Sequence, residues 1–281
     1  MGGTISYGSP MRRIFFVKYY DKSSTVLGAD QIGEGLRARG LEARAVYPAD
    51  LAGVRDAVLV FIKTSRLPDL VAARRRGNRT VLDVQDTVVF KGGIKNRWLF
   101  DGLLFKNRRQ LQDFGDAKRL CRIIPHQWDP RYQPNTAGED APRIGYFGDE
   151  RSLPFWNRLP GVDCFSGNFF ANALLYNCHL SFRAPGRDFL YKPNCKVSTA
   201  AACGANLVTT RDESAVELLG PDYPYYAEAT AEGLEATIGR VRATFGGPEW
   251  RAGLERMRDV REQTHLGRVL DEYMAYFADL A

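Results

Sequence analysis

Two hydrophobic periodicities take turns along this chain. Short β-branched and aromatic runs give way to stretches whose apolar residues recur every three or four positions. The run IFFVKYY at 14–20 predicts a strand. After the polar loop DKSSTVLG, ADQIGEGLRARG at 29–40 puts Ala29, Ile32 and Leu36 on one face and stops at Gly40, which predicts a helix. EARAVYP is a short strand. AVLVFIKT at 57–64 is almost wholly apolar, the pattern of a strand covered on both faces. LPDLVAARRRG predicts a helix closing at Gly77, and TVLDV at 80–84 another strand. GLLFKNRRQLQDFG at 102–115 reads as a strand running into a helix, and CRIIPH at 121–126 as the last strand of this half.

Proline, polar residues and a change of charge then coincide, and residues 127–141 are read as an interdomain linker. RIGYFGD at 143–149 restarts the pattern with a strand, and CHLSFRAP at 178–185 and ANLVTT at 205–210 add two more. APGRDFLYKPN is read as a loop leading into a helix near Pro193. From about Ala229 to Ala281 the pattern is almost all helical, broken at Gly246-Gly247-Pro248. Alternating strands and helices predict an α/β fold with parallel sheets covered on both faces. The expectation is two Rossmann-like domains, 12–126 and 142–265, facing each other across a cleft. Residues 1–11 are polar and Gly-rich and read as a disordered leader or tag, with Met11 as the natural start.

Composition and charge sharpen this picture. With 44% hydrophobic and 26% charged residues the chain reads as an ordinary globular protein. It has no apolar run of about 18 residues that would span a bilayer. Five cysteines, an odd number with no CxxC pair and no secretion signal, predict free thiols and a cytoplasmic setting. The three histidines are widely spaced, so no metal is expected. The net charge of +6 is uneven: up to Asp140 there are 24 Lys and Arg against 15 Asp and Glu, and afterwards 15 against 18. Arg74, Arg75, Arg76, Arg79, Lys91, Lys95, Arg97, Lys106, Arg108 and Arg109 make the first half basic. VVFKGGIKNRWLF at 88–100 interleaves apolar and basic residues, as a segment on an anionic membrane surface does. A peripheral position on the inner face of a membrane is one expectation; a merely solubilising basic surface is the other. Nucleic acid is not expected as a partner, because no nucleic-acid motif is present.

The candidate chemistry centres on YKPNCKVSTAAACGANLVTT at 191–210. Lys192, Asn194 and Lys196 surround a helix start, where free N–H groups and the helix dipole favour phosphate. Arg183 or Arg187 lies nearby, and Ala200, Ala201, Ala202 and Gly204 form a small face that packs closely on a sheet. Together these read as a diphosphate cradle; a solvated helix start with ordinary surface lysines is the alternative. GYFGDERS at 145–152 ends a strand with Gly145 and Gly148 permitting close backbone approach, and Arg151 reaching a phosphate from the other side. An ordinary βα turn capped by Asp149 or Ser152 is the alternative there. No GxGxxG or GxxxxGK[ST] motif is present, so nicotinamide-cofactor and P-loop chemistry lose weight.

With these segments in view, the chain resembles the two-domain glycosyltransferases of the GT-B fold, the family 4-like branch in particular. IIPHQWDPRYQP at 123–134 looks like the exit from the first domain, IGYFGDERS like the first strand and loop of the nucleotide-sugar domain, and TAAACGANLVTT at 199–210 like the segment EAMACGxPVV. TRDESAVELLGPDYPYY at 210–226 is similar to the donor-contacting loop and helix that follow. The resemblance implies that the last helix, 266–281, packs back on the first domain. It implies a nucleotide-sugar donor, a hydroxyl of a glycan, glycolipid or other lipid-linked acceptor, and no metal or other cofactor. Arg151, Arg183, Lys192 and Lys196 would neutralise the diphosphate; Asn194, Ser198 and Thr199 would add neutral hydrogen bonds; Asp212 and Glu213 would hold a ribose or sugar hydroxyl. For the base, Asp86 at the end of VLDVQDT is the first choice, with Asp21 and His126 behind it and Asp83 turned to the core. The family carries a pair of glutamates where this chain has Tyr191 and Thr199. That departure keeps a second reading open: a catalytically inert relative that binds a nucleotide-sugar or a partner protein.

Overall fold

The structure, a computed structural model, describes residues 13–85, 94–138, 140–153, 159–193 and 195–280. Asp86, Lys91 and Asn194 lie outside the described residues, as does the leader. The chain divides into two compact units. One takes the residues up to Phe105, Gln110–Ile124 and the chain from Leu270; the other takes Lys106–Arg109 and Pro125–Val269. The segment read as a linker falls inside the second unit.

The first unit is built on β1 (Ile14–Val17), β2 (Ala43–Val46), β3 (Val58–Ile62), β4 (Arg79–Asp83), β5 (Gly102–Phe105) and β6 (Leu120–Ile123). All pair in parallel in the order β2-β1-β3-β4-β5-β6. β1 is central: Ile14 lies opposite Ala43 on one side and Val58 on the other. Parallel strands need crossovers, and these include α1 (Ser23–Thr25), a widened turn at Val26–Gln31, α2 (Ile32–Ala38) and α3 (Leu67–Arg75). Helical structure therefore begins at Ser23, inside the stretch read as a loop. α3 ends at a left-handed Gly77, φ +77°. α4 (Arg108–Phe114) follows β5.

Both faces of this sheet are buried. On one, Phe15, Val17, Leu59, Phe61, Leu82 and Phe105 pack with Leu70 and Ala73 of α3. The other is closed by the last helix, α11 (Leu266–Leu280), as expected. Phe16 meets Tyr273 and Phe277 edge-on, with ring centroids 6.0 and 6.3 Å apart. The Tyr273 hydroxyl donates to Asp83 Oδ2 at 3.2 Å, so Asp83 is buried in the core. α11 approaches so closely that a Cβ on Gly102 would overlap the Tyr276 hydroxyl.

The second unit holds β7 (Ile144–Phe147), β8 (Val162–Phe165), β9 (Cys178–Ser181), β10 (Asn206–Thr210) and β11 (Tyr226–Ala227), parallel in the order β11-β10-β9-β7-β8. Its helices are α5 (Phe169–Ala173), α6 (Arg187–Tyr191), α7 (Cys195–Ala202), α8 (Glu213–Leu219), α9 (Ala231–Thr244) and α10 (Pro248–Gln263). Several elements of this unit differ from the sequence expectation, α5 among them. β8 and β11 were not anticipated, and α6 occupies a stretch read as loop. The break at Gly246-Gly247-Pro248 does separate two helices, and Pro248 opens α10 where its missing N–H costs nothing. No helix among the described residues is long and apolar enough to cross a membrane.

The close fit of α11 is testable. Gly102→Ala forces a methyl into the Tyr276 hydroxyl and should destabilise by about 1–3 kcal/mol, lowering the apparent Tm by at least about 2 °C. Gly53→Ala, where a Cβ meets nothing within 4 Å, should stay within about 0.5 kcal/mol of wild type. Equal melting of the two variants would contradict the packing described.

Candidate functional site at the strand-order reversal of the second sheet

From β7 the chain passes to β8 on one side, and the next crossover returns past β7 to β9 on the other. The loops leaving β7 and β9 therefore diverge, the arrangement in which parallel sheets bind ligands beyond the carboxyl ends of their strands. α7 begins there. Pro193 precedes it, and Val197, Ala200 and Ala201 bury its small face against the sheet core. Its second residue, Lys196, carries the one ammonium that this packing directs under the β7 loop.

The Lys196 Nζ lies 3.6 Å from the centroid of the Tyr146 ring, which is itself fully buried. A Cβ on Gly148 would come within 2.9 Å of that Nζ and 3.1 Å of the Tyr146 hydroxyl. Glycine thus leaves the space above the ammonium open. Tyr146 is held by donating its hydroxyl to the Asp149 carbonyl at 3.1 Å. Among the described residues no carboxylate pairs with Lys196 and no hydrogen bond satisfies it. A ring face stabilises a desolvated cation by about 2 kcal/mol, much less than an ion pair with full hydrogen bonding supplies. Burial therefore pulls the Lys196 ammonium down to about 7, and the positive charges of Arg183 and Lys192 push the same way. Lys196 is thus a largely desolvated cation held against an aromatic face, with no carboxylate partner among the described residues.

Arg183 was expected to touch phosphate; in the structure its guanidinium is engaged within the fold. Its side chain is only 12% exposed. Nη1 donates to the Lys192 carbonyl at 2.5 Å and Nη2 to the Pro193 carbonyl at 2.6 Å, while Nη1 also pairs with Asp212 Oδ1 at 3.2 Å. The guanidinium fork is occupied with holding the loop that enters α7. Asp212 is engaged in the same way. It is fully buried, and besides Arg183 it accepts from the Ala215 N–H at 3.0 Å as the cap of α8. Ser214 completes the clamp by donating to the Lys192 carbonyl at 3.0 Å, and Asn107 Nδ2 donates to Ser214 at 2.8 Å.

The other expected residues scatter. The Lys192 side chain is exposed beside this loop. Arg151 is 89% exposed and locked to Asp149, whose carboxyl that guanidinium pulls down to about 2. Ser198 faces inward and donates back to the Cys195 carbonyl at 3.2 Å. Thr199 shares a hydrogen bond with Tyr132. Glu213 is exposed in the first turn of α8. In the first unit, Asp21 is exposed, 2.8 Å from the Lys18 Nζ, and accepts from the Tyr47 hydroxyl at 2.5 Å. Both hold its carboxyl below the usual range, which makes it a weak base. His126 is buried in the second unit. No group of three His, Cys, Asp or Glu among the described residues is placed to hold a metal. The residue that sequence reasoning missed is Tyr146. Strand alternation places Tyr146 and Gly148 on one face, and that signal could have found it.

The depressed Lys196 pKa has a signed consequence. Between about 7 and the ordinary 10.5, the unfolded chain holds a proton that the folded chain has released, so stability from this group rises with pH across that window. The stability difference between wild type and Lys196→Met, followed by denaturant unfolding, should shift in favour of wild type as pH rises from 7 towards 10. A pH-independent difference would contradict the environment described.

No protein-family model matches the chain, and no curated protein sequence matches it either. Solved structures do. A glycosyltransferase from Rickettsia africae aligns over 97% of this chain and 99% of its own at TM-score 0.72 and 12% identity. Sucrose-phosphate synthase from Thermosynechococcus elongatus aligns over 96% and 99% at 0.71 and 10% identity. HepE from Anabaena, solved with UDP and glucose, aligns over 94% and 98% at 0.67 and 8% identity. At such low identity it is the fold that these likenesses establish: the chain has the α/β architecture of the GT-B glycosyltransferases along nearly its whole length.

Proposed function

We propose that the chain is a glycosyltransferase that moves a sugar from a nucleoside-diphosphate-sugar to a hydroxyl of a glycan or lipid-linked acceptor. The observation that carries this reading is the unpaired, half-buried ammonium of Lys196 under Gly148, where the strand order of the second sheet reverses. The solved structure of HepE with UDP-glucose shows that a protein of this fold binds such a donor. In the reaction, the bond from the sugar's anomeric carbon to the donor phosphate oxygen breaks. A bond to the acceptor oxygen forms, and the acceptor proton passes to a carboxylate. Negative charge grows on the leaving diphosphate. Lys196 and the first-turn N–H groups of α7 would stabilise it without reorganising, the role a divalent ion fills elsewhere. Arg183 and Asp212 position that machinery rather than touch the donor. Asp86 stays the proposed base for an inverting transfer, since Asp21 is held anionic by Lys18 and Tyr47.

One observation favours the inert alternative. Where the family has its second glutamate, this chain has Thr199, whose hydroxyl is engaged with Tyr132. Binding and turnover separate the two readings.

Thermal unfolding with UDP, GDP and ADP and their sugar conjugates, without added metal, tests the proposal. One nucleotide family should raise apparent stability by about 2.7 kcal/mol at a hundredfold excess over its Kd. Lys196→Ala should lose that shift while remaining folded, with an apparent Tm no lower than wild type at neutral pH. No shift from a folded sample overturns the donor reading. A shift with no nucleotide released from the sugar conjugate establishes the inert reading.

A further inference from the structure

Away from the strand-order reversals, two large exposed apolar side chains among the described residues of the first unit lie in one layer. Trp98 is 62% exposed and Leu67 is 47% exposed. Leu67 opens α3, which crosses from β3 to β4. Trp98 lies in the turn Ile94–Leu99, which crosses from β4 to β5. Successive right-handed crossovers moving the same way lie on the same face of a sheet. Ile94, Leu70 and Ala73 accordingly anchor the turn and the helix in one core cluster.

With Leu70 and Ala73 inward, the outer stripe of α3 should be polar. Instead Pro68, Val71 and Ala72, with Arg75 and Arg76, line a shallow groove of about 380 Å³. Arg74 ties the turn to the helix by donating to the Leu99 carbonyl at 2.8 Å and pairing with Asp101 at 2.9 Å. Arg119 donates to the Trp98 carbonyl at 2.8 Å. The backbone under Trp98 is therefore fixed, while its ring projects into solvent. The side chains of Arg75, Arg97 and Lys118 make no hydrogen bond or ion pair with a described residue. The carboxylates of these elements are engaged, Asp69 by the Tyr19 hydroxyl and Asp101 by Arg74.

We propose that this face docks the first unit on an anionic phospholipid surface, with Trp98 and Leu67 entering the interfacial layer and Arg75, Arg97 and Lys118 lying on the headgroups. Aliphatic Leu67, Val71 and Ala72 have no role against a phosphate backbone, which argues against nucleic acid. A second copy docking by the same face would set unpaired arginines against each other. The inference stands on the first unit and does not depend on the donor reading.

Flotation of the full chain with vesicles of phosphatidylcholine alone, and of phosphatidylcholine with 30% phosphatidylglycerol, tests it. The protein should partition onto the anionic vesicles and be released by salt. Arg75→Ala and Arg97→Ala should each lower the partition coefficient about fivefold, the factor for about 1 kcal/mol per near-surface cation. Trp98→Ser should weaken binding with the charge unchanged, and all three variants should melt like wild type because these side chains are exposed. Failure to bind anionic vesicles, or binding indifferent to these substitutions, overturns the proposal. So does tighter binding to single-stranded RNA, or a Trp98-dependent dimer in light scattering.

Discussion

A parallel sheet cannot turn back on itself by a hairpin; every strand must be followed by a crossover over one face. When the chain has laid strands to one side of its first strand and then continues on the other, neighbouring crossovers diverge and leave an open place at the strand ends. Both sheets here obey this constraint, at β1 in the first unit and at β7 in the second. In the second unit it places the loop after β7, the loop after β9 and the start of α7 at one point. The buried small face of α7 and the absent side chain at Gly148 follow from how closely these pieces meet.

The site's electrostatics follow from who satisfies whom. Arg183 and Asp212 neutralise each other inside the fold, and the rest of the guanidinium holds two backbone carbonyls. Lys196 is the cation that this arrangement leaves over, with an aromatic face beneath it and open space above. A charge kept half-buried without a counterion costs stability, and a fold keeps it where a ligand supplies the opposite charge. The clamp and the uncompensated lysine belong together: one fixes the loop, the other is the cation that the proposed donor would meet.

Much of the fold was legible because its strands are apolar on both faces and its helices end at glycine or proline. β3 and β10 stand out as continuous buried runs, and Gly77 and Pro248 punctuate as expected. β8 was hidden because it is half-buried and carries Asp163 in its middle, so it shows neither alternation nor an apolar run. β11 is two residues long and draws its pairing from β10, not from a pattern of its own. α6 reads as a loop because Gly186 and Pro193 flank it closely. At the site, residue type and position pointed to Lys196 and Gly148, since a glycine at a strand end and a lysine at a helix start are local features. Sequence could not separate Arg183 from Lys196. Both are cations near the same loop, and only the packing decides that Asp212 and two carbonyls take the arginine.

The central claim is that the Lys196 ammonium receives diphosphate. Its most direct test is the pH titration of the Lys196 side-chain resonances by NMR, assigned with Lys196→Arg, with and without saturating pyrophosphate. The account predicts a midpoint near 7 in the free protein, moved clearly upward when pyrophosphate is bound, because the bound anion stabilises the charged form. A midpoint that pyrophosphate leaves in place would contradict it.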